Sequence, residues 1–380
     1  MTISPFAMHP FFRSVLLAAV LFVLVACGTV PGSGKGKARP VASEGGLPTH
    51  GHSRWVLADW TDLPGFQEDS LNEAWNAWLK SCELPSTVFA PLCSQIRRLS
   101  ISSATEQRQW MMDRLQPYRV EPVSGGTATG LLTAYYEPQM QAQRLPGNGF
   151  MVPVYQVPAN LNQRKPWFSR QEIDTLPEAK SALRGREIAY LSDPVQAMVL
   201  QIQGSGRINV TEPDGSQRLL RLAFAGHNGY PYQSIGRWLL ETGELRDASW
   251  PGILAWTTQN PKRVNELLWR NPRVIFFKEE SLNEFDEGFG PKGAQGVPIT
   301  PGRSIAVDPD SIPFGTPVWL SSVGATVTLR RLVLAQDTGS AIHGAVRADY
   351  FAGWGADAGQ LAGKLKQSLH LWVLWPKSSR

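Results

Sequence analysis

Apolar residues recur at three- and four-residue spacing in DSLNEAWNAWLKSC (69–82) and CSQIRRLSISSATEQRQWMMDRL (93–115), which predicts two amphipathic helices. The period then changes. GLLTAYYEPQM (130–140), bounded by Gly and Pro, reads as a strand, and the short apolar runs that follow to about residue 235 (MVPVYQVP, AMVLQIQGSGRINV, QRLLRLAFAGHNGYPY) predict a β-rich region. Helical spacing returns in SIGRWLLETGEL (234–245) and in PKRVNELLWRN (261–271), which Pro261 opens and Asn271-Pro272 closes. Strands resume in VPITPGRSIAVDP (297–309), TPVWLSS (316–322), TVTLRRLVLAQ (326–336) and HLWVLWP (370–376). Strands and helices alternating without regular βαβ units argue against a doubly wound sheet and for a mainly β fold, barrels with helical additions.

The N-terminal pattern differs. VLLAAVLFVLVAC (15–27) is too short for a comfortable spanning helix and reads as a signal peptide, residues 1–26. Its last residues, Leu24-Val25-Ala26-Cys27, resemble a bacterial lipobox, in which Cys27 is acylated; Gly28, where an inner-membrane retention signal would have Asp, points to the outer membrane, facing the periplasm. Residues 27–47 then form a Gly/Ser/Pro/Lys-rich tether. With Cys27 set aside, Cys82 and Cys93 remain for an oxidising compartment, as a disulfide or as two buried thiols. At 380 residues and 42 % hydrophobic the chain can bury two domains' worth of core. Its formal charge of +5 is spread along the chain without a basic run, so nucleic acid is not an expected partner.

Six histidines show no paired ligand spacing, His50 and His52 read as solvated, and neither a metal nor another cofactor is expected. No G-x-S-x-G elbow occurs, and Gln203-Gly204-Ser205-Gly206 reads as a tight turn. Asp337-Thr338-Gly339 has the form of an aspartic protease signature, but such enzymes need two copies sharing a proton, and the chain has one.

What remains is a spaced set of aspartates: Asp308 in AVDPDSIPFGTPV, Asp337 in AQDTGSAIHG and Asp349 in VRADYFAG. With TAYYEP (133–138), QIQGSG (201–206), AGHNGYPYQSIG (225–236) and NPRVIFF (271–277), this set resembles the membrane-bound lytic murein transglycosylase A family with its three-aspartate cell-wall domain. The resemblance runs from about residue 125 to 376. It implies a double-psi β-barrel (48–138 and 290–378, with the N-terminal helices) and an inserted smaller β-barrel (139–289), a glycan groove between them, and Asp349 as catalytic acid.

One carboxylate can suffice. Ordinary glycosidases need two because one activates water or attacks. In a transglycosylase the muramic acid's own C6 hydroxyl attacks C1, so a single Asp349 donates to the leaving oxygen and later takes the hydroxyl proton. Burial beside Tyr350, Phe351 and Trp354, with Asp337 as a like-charged neighbour, is expected to raise its pKa; Asp337 is equally readable as a turn cap, and Asp308 as a turn residue. Thr133, Tyr135, Tyr136, Gln203, Gly204, Ser205, Asn228 and Tyr230 are candidate glycan contacts, each also readable as core or turn. Trp75, Trp78 and Trp269 read as core, and Glu137 is a possible second acid beside the cleft. The expected substrate is peptidoglycan, cut between N-acetylmuramic acid and N-acetylglucosamine, with other cell-wall enzymes as partners; the alternative is a module that grips the glycan without cutting it.

Overall fold

The computed structural model describes residues 49–325 and 327–377, so the apolar N-terminal run, Cys27 and the tether lie outside the described residues. Strands β1 (Thr49–His50) and β2 (Ser53–Leu57) precede helices α1 (Asn72–Ser81), α2 (Cys93–Arg98) and α3 (Ala104–Arg114), then β3 (Leu115–Pro122) and β4 (Gly130–Glu137). A second β system follows: β5 (Gln139–Gln143), β6 (Val152–Tyr155), α4 (Arg170–Thr175), α5 (Pro177–Leu183), β7 (Glu187–Leu191), α6 (Pro194–Gln203), β8 (Gly206–Thr211) and β9 (Gln217–His227). It continues through α7 (Ile235–Glu241), α8 (Trp250–Gln259), α9 (Val264–Trp269) and β10 (Ile275–Ser281). After α10 (Glu284–Glu287) come β11 (Ser304–Val307), β12 (Pro317–Val323), β13 (Thr328–Asp337), β14 (Arg347–Trp354), α11 (Gly355–Lys364) and β15 (Lys366–Pro376).

The nine-stranded sheet runs β1-β2-β3-β15-β12-β13-β11-β14-β4, and β15 also pairs with β4. That last pairing closes β15, β12, β13, β11, β14 and β4 into a ring, the double-psi β-barrel that the resemblance implies, with parallel contacts at β11/β13 and β14/β4. The other sheet, β10-β9-β8-β5-β7-β6, is nearly closed.

Alternation explains the long apolar runs of the ring. Val333 and Ala335 of β13, Val318 and Leu320 of β12, and Leu371 and Val373 of β15 fill the barrel. Their neighbours Leu332, Leu334, Trp319, Trp372 and Leu374 face outward onto Trp75, Trp78, Ile96 and Met111 of the helices. Strands covered on both faces need apolar residues at every position, which is why LRRLVLA shows no clean period of two.

Several elements differ from the sequence pattern, each for a local reason. The single helix expected over 93–115 is two, because Ser103 caps α3 and closes a capping box with Glu106. AMVLQIQ belongs to helix α6 rather than to a strand: Asp193 accepts from the Val195 amide at 2.8 Å, Pro194 occupies the first turn, and Gly204, at φ +81°, ends it. Within 297–309 only Ser304–Val307 is extended. Trp75 and Trp78 are fully buried, whereas Trp269 is half-buried and donates to Asp174 Oδ2 at 2.7 Å. Cys82 and Cys93 are bonded to each other, with their Cα atoms 5.5 Å apart.

Candidate active site

The same alternation places the chemistry. On β14, Ala348 and Tyr350 point into the barrel, so Arg347, Asp349 and Phe351 face outward. On β4, Leu132 packs inward while Thr133 and Tyr135 face outward, and the parallel register sets Asp349 opposite Thr133 and Phe351 opposite Tyr135. Ala306 of β11 is paired with Asp349 on one side and Asp337 on the other. The two aspartates thus stand two strands apart, on the order of 10 Å along the sheet, too far to share a proton as an aspartic dyad does. Facing them across a cleft of about 320 Å³ are Gln201, Ile202 and Gln203 at the end of α6, with Tyr232, Asn271, Arg273 and Ile275.

The electrostatics of the two acids differ. Burial pushes the Asp349 carboxyl above the ordinary aspartate range, against a downward pull from its Thr133 hydrogen bond and from the Arg347 charge. Thr133 is a relay: its Oγ1 accepts from Arg347 Nη2 at 2.8 Å and donates to Asp349 Oδ1. Asp337 accepts three bonds, from Tyr135 Oη (2.8 Å), the Thr338 amide (2.9 Å) and the Ala294 amide (3.0 Å). Burial also raises its pKa, and the Asp349 charge adds to that rise. Both oxygens of Asp337 accept from protein donors, whereas Asp349 has one oxygen without a protein donor among the described residues.

Two expected causes of the Asp349 shift are absent. Tyr350 lies on the other face of β14, donating to Gly302 O at 3.0 Å, and Trp354 lies under the Arg207 guanidinium at 3.7 Å. The cation of Arg347 pulls the Asp349 carboxyl down, while Asp349 and Asp337, as like charges, disfavour each other's ionised form.

Of the candidate contacts, Thr133, Tyr135 and Gln203 line this cleft together with Asp337 and Asp349. Gln203 Oε1 accepts from the Tyr136 amide at 3.1 Å. Tyr136 itself faces the other way, into a larger, mostly apolar cavity of about 660 Å³ beside α6, α8 and α11 that contains none of the three aspartates. Asn228 is a strut: it is 1 % exposed, donates to Phe168 O and Pro272 O, and accepts from the Val274 amide, so no donor is left for a sugar. Tyr230 does not line the cleft; its carbonyl accepts from Arg273 at 2.9 Å. Gly204 and Ser205 form the turn after α6 and do not line the cleft.

Asp308 organises a turn. It is 2 % exposed and accepts from the Gly344 amide (2.7 Å) and the Asp310 amide (3.0 Å), with His52 Nδ1 at 2.8 Å. Burial pushes its pKa up, but these three partners together hold it below the usual aspartate range. His52 is exposed as expected, yet it is bonded rather than merely solvated. Glu137 is not a cleft acid: it is fully buried between Arg221 Nε (2.9 Å) and Arg207 Nε (3.2 Å). Arg347, bonded to Thr133, and Arg273, on the cleft lining, are cations that sequence reading passes over, although both sit inside quoted motifs. The two-residue spacing of Arg347 and Asp349 on a strand is the signal that would have found the first.

The chain is similar in sequence and fold to known proteins. Residues 131–278 match the model of the MltA specific insert domain, and residues 303–375 that of the 3D domain. The membrane-bound lytic murein transglycosylase A of Escherichia coli is 35 % identical over 259 residues, 64 % of this chain and 64 % of the relative, so the match spans less than two thirds of that protein. Its crystal structure with bound chitohexaose superposes with a TM-score of 0.69, covering 90 % of this chain and 99 % of that one at 25 % identity. The Vibrio cholerae protein of the same name is 31 % identical over 271 residues, 68 % of this chain and 69 % of its own. The lytic transglycosylase LtgG of Burkholderia pseudomallei is 38 % identical at a TM-score of 0.61, covering 90 % of this chain and 100 % of its own.

Proposed function

The chain belongs to the membrane-bound lytic murein transglycosylase A family, and from that premise we propose that it cleaves the β-1,4 bond between N-acetylmuramic acid and N-acetylglucosamine with Asp349 as sole proton carrier. The observation that carries this reading is the contrast between the two cleft acids. Burial raises both carboxyls towards the protonated form that a general acid needs, but Asp337 is held by three donors, whereas Asp349 keeps for a ligand an oxygen that has no donor among the described residues.

The cycle balances without water. Asp349 gives its proton to the glycosidic oxygen as the C1–O bond breaks, and N-acetylglucosamine leaves as an alcohol. The C6 hydroxyl of the muramic acid bonds to C1, closing the 1,6-anhydro ring, and returns its proton to Asp349. Tethered attack of this kind reaches effective molarities of about 10⁵ M or more, which replaces a second activating carboxylate. Thr133, Tyr135 and Gln203 orient the sugar, and Asp337 fixes the Thr338 turn and the Tyr135 ring. We place the enzyme on the periplasmic face of the outer membrane, anchored through acylated Cys27; among the described residues no helix is long and apolar enough to cross a membrane. Acyl chains on the mature N-terminal peptide, read by mass spectrometry, check the anchor.

The test of catalysis is digestion of murein sacculi in ¹⁸O-labelled water. Products ending in 1,6-anhydromuramic acid without label, reduced about 10³-fold or more in Asp349→Asn with folding unchanged, support the proposal. Labelled reducing ends would indicate a hydrolase, and binding without soluble fragments a wall-binding module.

A further inference from the structure

Two neighbouring guanidinium groups, Arg273 on the cleft wall and the buried Arg170 bonded to the Arg273 carbonyl, have no carboxylate partner among the described residues. Arg170 is 9 % exposed and donates to Asn271 O at 3.0 Å, Arg273 O at 2.5 Å and Gln201 Oε1 at 2.8 Å, all neutral acceptors. Arg273 lines the cleft half-buried and makes one side-chain bond, from Nη1 to Tyr230 O at 2.9 Å. Elsewhere the chain pairs its buried arginines: Arg207, Arg221 and Arg303 each meet a carboxylate. Desolvation without a counter-charge costs free energy that a structural arginine avoids, and it holds the Arg273 pKa below the ordinary value.

The cleft's own acids do not need this cation. Asp337 is engaged by three hydrogen-bond donors, and Asp349 has Thr133 as its donor and Arg347 as its neighbouring charge. A planar fork with unused donors in a partly dry site is suited to a carboxylate, which it can grip at two points.

We propose that Arg273 is the specificity residue of the cleft and pairs with a carboxylate carried by the muramic acid, an inference that rests on the glycan substrate proposed above. That carboxylate has two sources. In a strand stripped of peptides the lactyl ether ends in a free carboxylate; in an intact strand the lactyl group is amide-linked and the carboxylates belong to the stem peptide. N-acetylglucosamine has neither, so Arg273 gives the cleft a means of telling the two sugars apart and of setting the register of the strand.

Three substrates decide the matter: peptide-bearing strands, peptide-stripped strands, and stripped strands whose lactyl carboxylate has been converted to the neutral methylamide. Arg273→Gln is expected to raise KM about tenfold or more on an anionic strand, and the loss on the anionic strand should exceed that on the methylamide strand by a similar factor. Arg273→Lys, which keeps the charge but loses the fork, should fall between. A loss confined to stripped strands assigns the lactyl carboxylate, and one confined to peptide-bearing strands assigns the stem peptide. Equal losses on charged and neutral strands, or none on any, would overturn the proposal. Calorimetric titration of Asp349→Asn, with and without Arg273→Gln, against the same strands reads binding alone. A wild-type protein that makes no anhydro product would therefore sink the catalytic reading while Arg273 was still being judged.

Discussion

Thr133 is a single hydroxyl placed between a cation and an acid, and its bond to Asp349 opposes the upward push of burial on that carboxyl. Arg347 and Thr133 both lower the Asp349 pKa, opposing the burial that raises it. A general acid must be protonated in the free enzyme, so kcat/KM should decline as pH rises through the Asp349 pKa. Removing the cation with Arg347→Gln takes away a downward pull, the pKa rises further, and the declining limb moves to higher pH; Thr133→Val moves it the same way. A limb that stays put or moves lower in both variants would show that another group limits the reaction. Asp349 and Asp337 were legible in the sequence as candidate acids, and burial as the cause that raises Asp349, but the groups that oppose that rise were not. Neighbours in the chain, Tyr350 above all, alternate to the opposite face of a strand, whereas Arg347 and Thr133, two residues and one strand away, share its face.

At the scale of elements, most runs of clear period are what they look like, and the exceptions concern short apolar runs. AMVLQIQ is compatible with a buried strand or a buried helix by composition, and the decision lies in its ends, Asp193-Pro194 before and Gly204 after. This matters for the site, because only as the last turn of a helix does the segment carry Gln201 and Gln203 to the cleft. The helices under the barrel bear on the site as well. Gln336, next to Asp337, donates to Ala77 O at 2.8 Å and Ser81 Oγ at 2.9 Å in α1, and the bond between Cys82 and Cys93, 11 residues apart, ties the end of α1 to the start of α2. Closing so short a loop restricts the unfolded chain by about 3 kcal/mol. Replacing both cysteines by serine should lower unfolding stability in urea by roughly that amount, and an unchanged midpoint at unchanged slope would show that packing of Trp75 and Trp78 alone holds the helices.

For the whole molecule, the closed ring was legible only through resemblance, since its pairings are non-local: β4 meets β14 and β15 from more than 200 residues away in the chain. What holds the two β systems together was misread at a single residue. Glu137 ends β4, immediately before the chain passes into β5, and its carboxylate receives Arg207 and Arg221 from β8 and β9. The same two guanidiniums donate to Phe289 O, at 2.9 Å and 2.5 Å, where the chain returns towards the barrel, and Arg207 also stacks on Trp354 at the end of β14. One buried cluster thus pins both crossings and an end of the strand that carries Asp349. Replacing Glu137 by Gln leaves two buried cations side by side without a counter-charge, a change that costs on the order of 3–5 kcal/mol. Because the crossings loosen together, the fall in stability should come with a larger rise in KM for glycan than fall in kcat, the signature of walls that no longer hold their spacing. A variant of native stability, or one that loses kcat with KM intact, would place Glu137 in the chemistry after all.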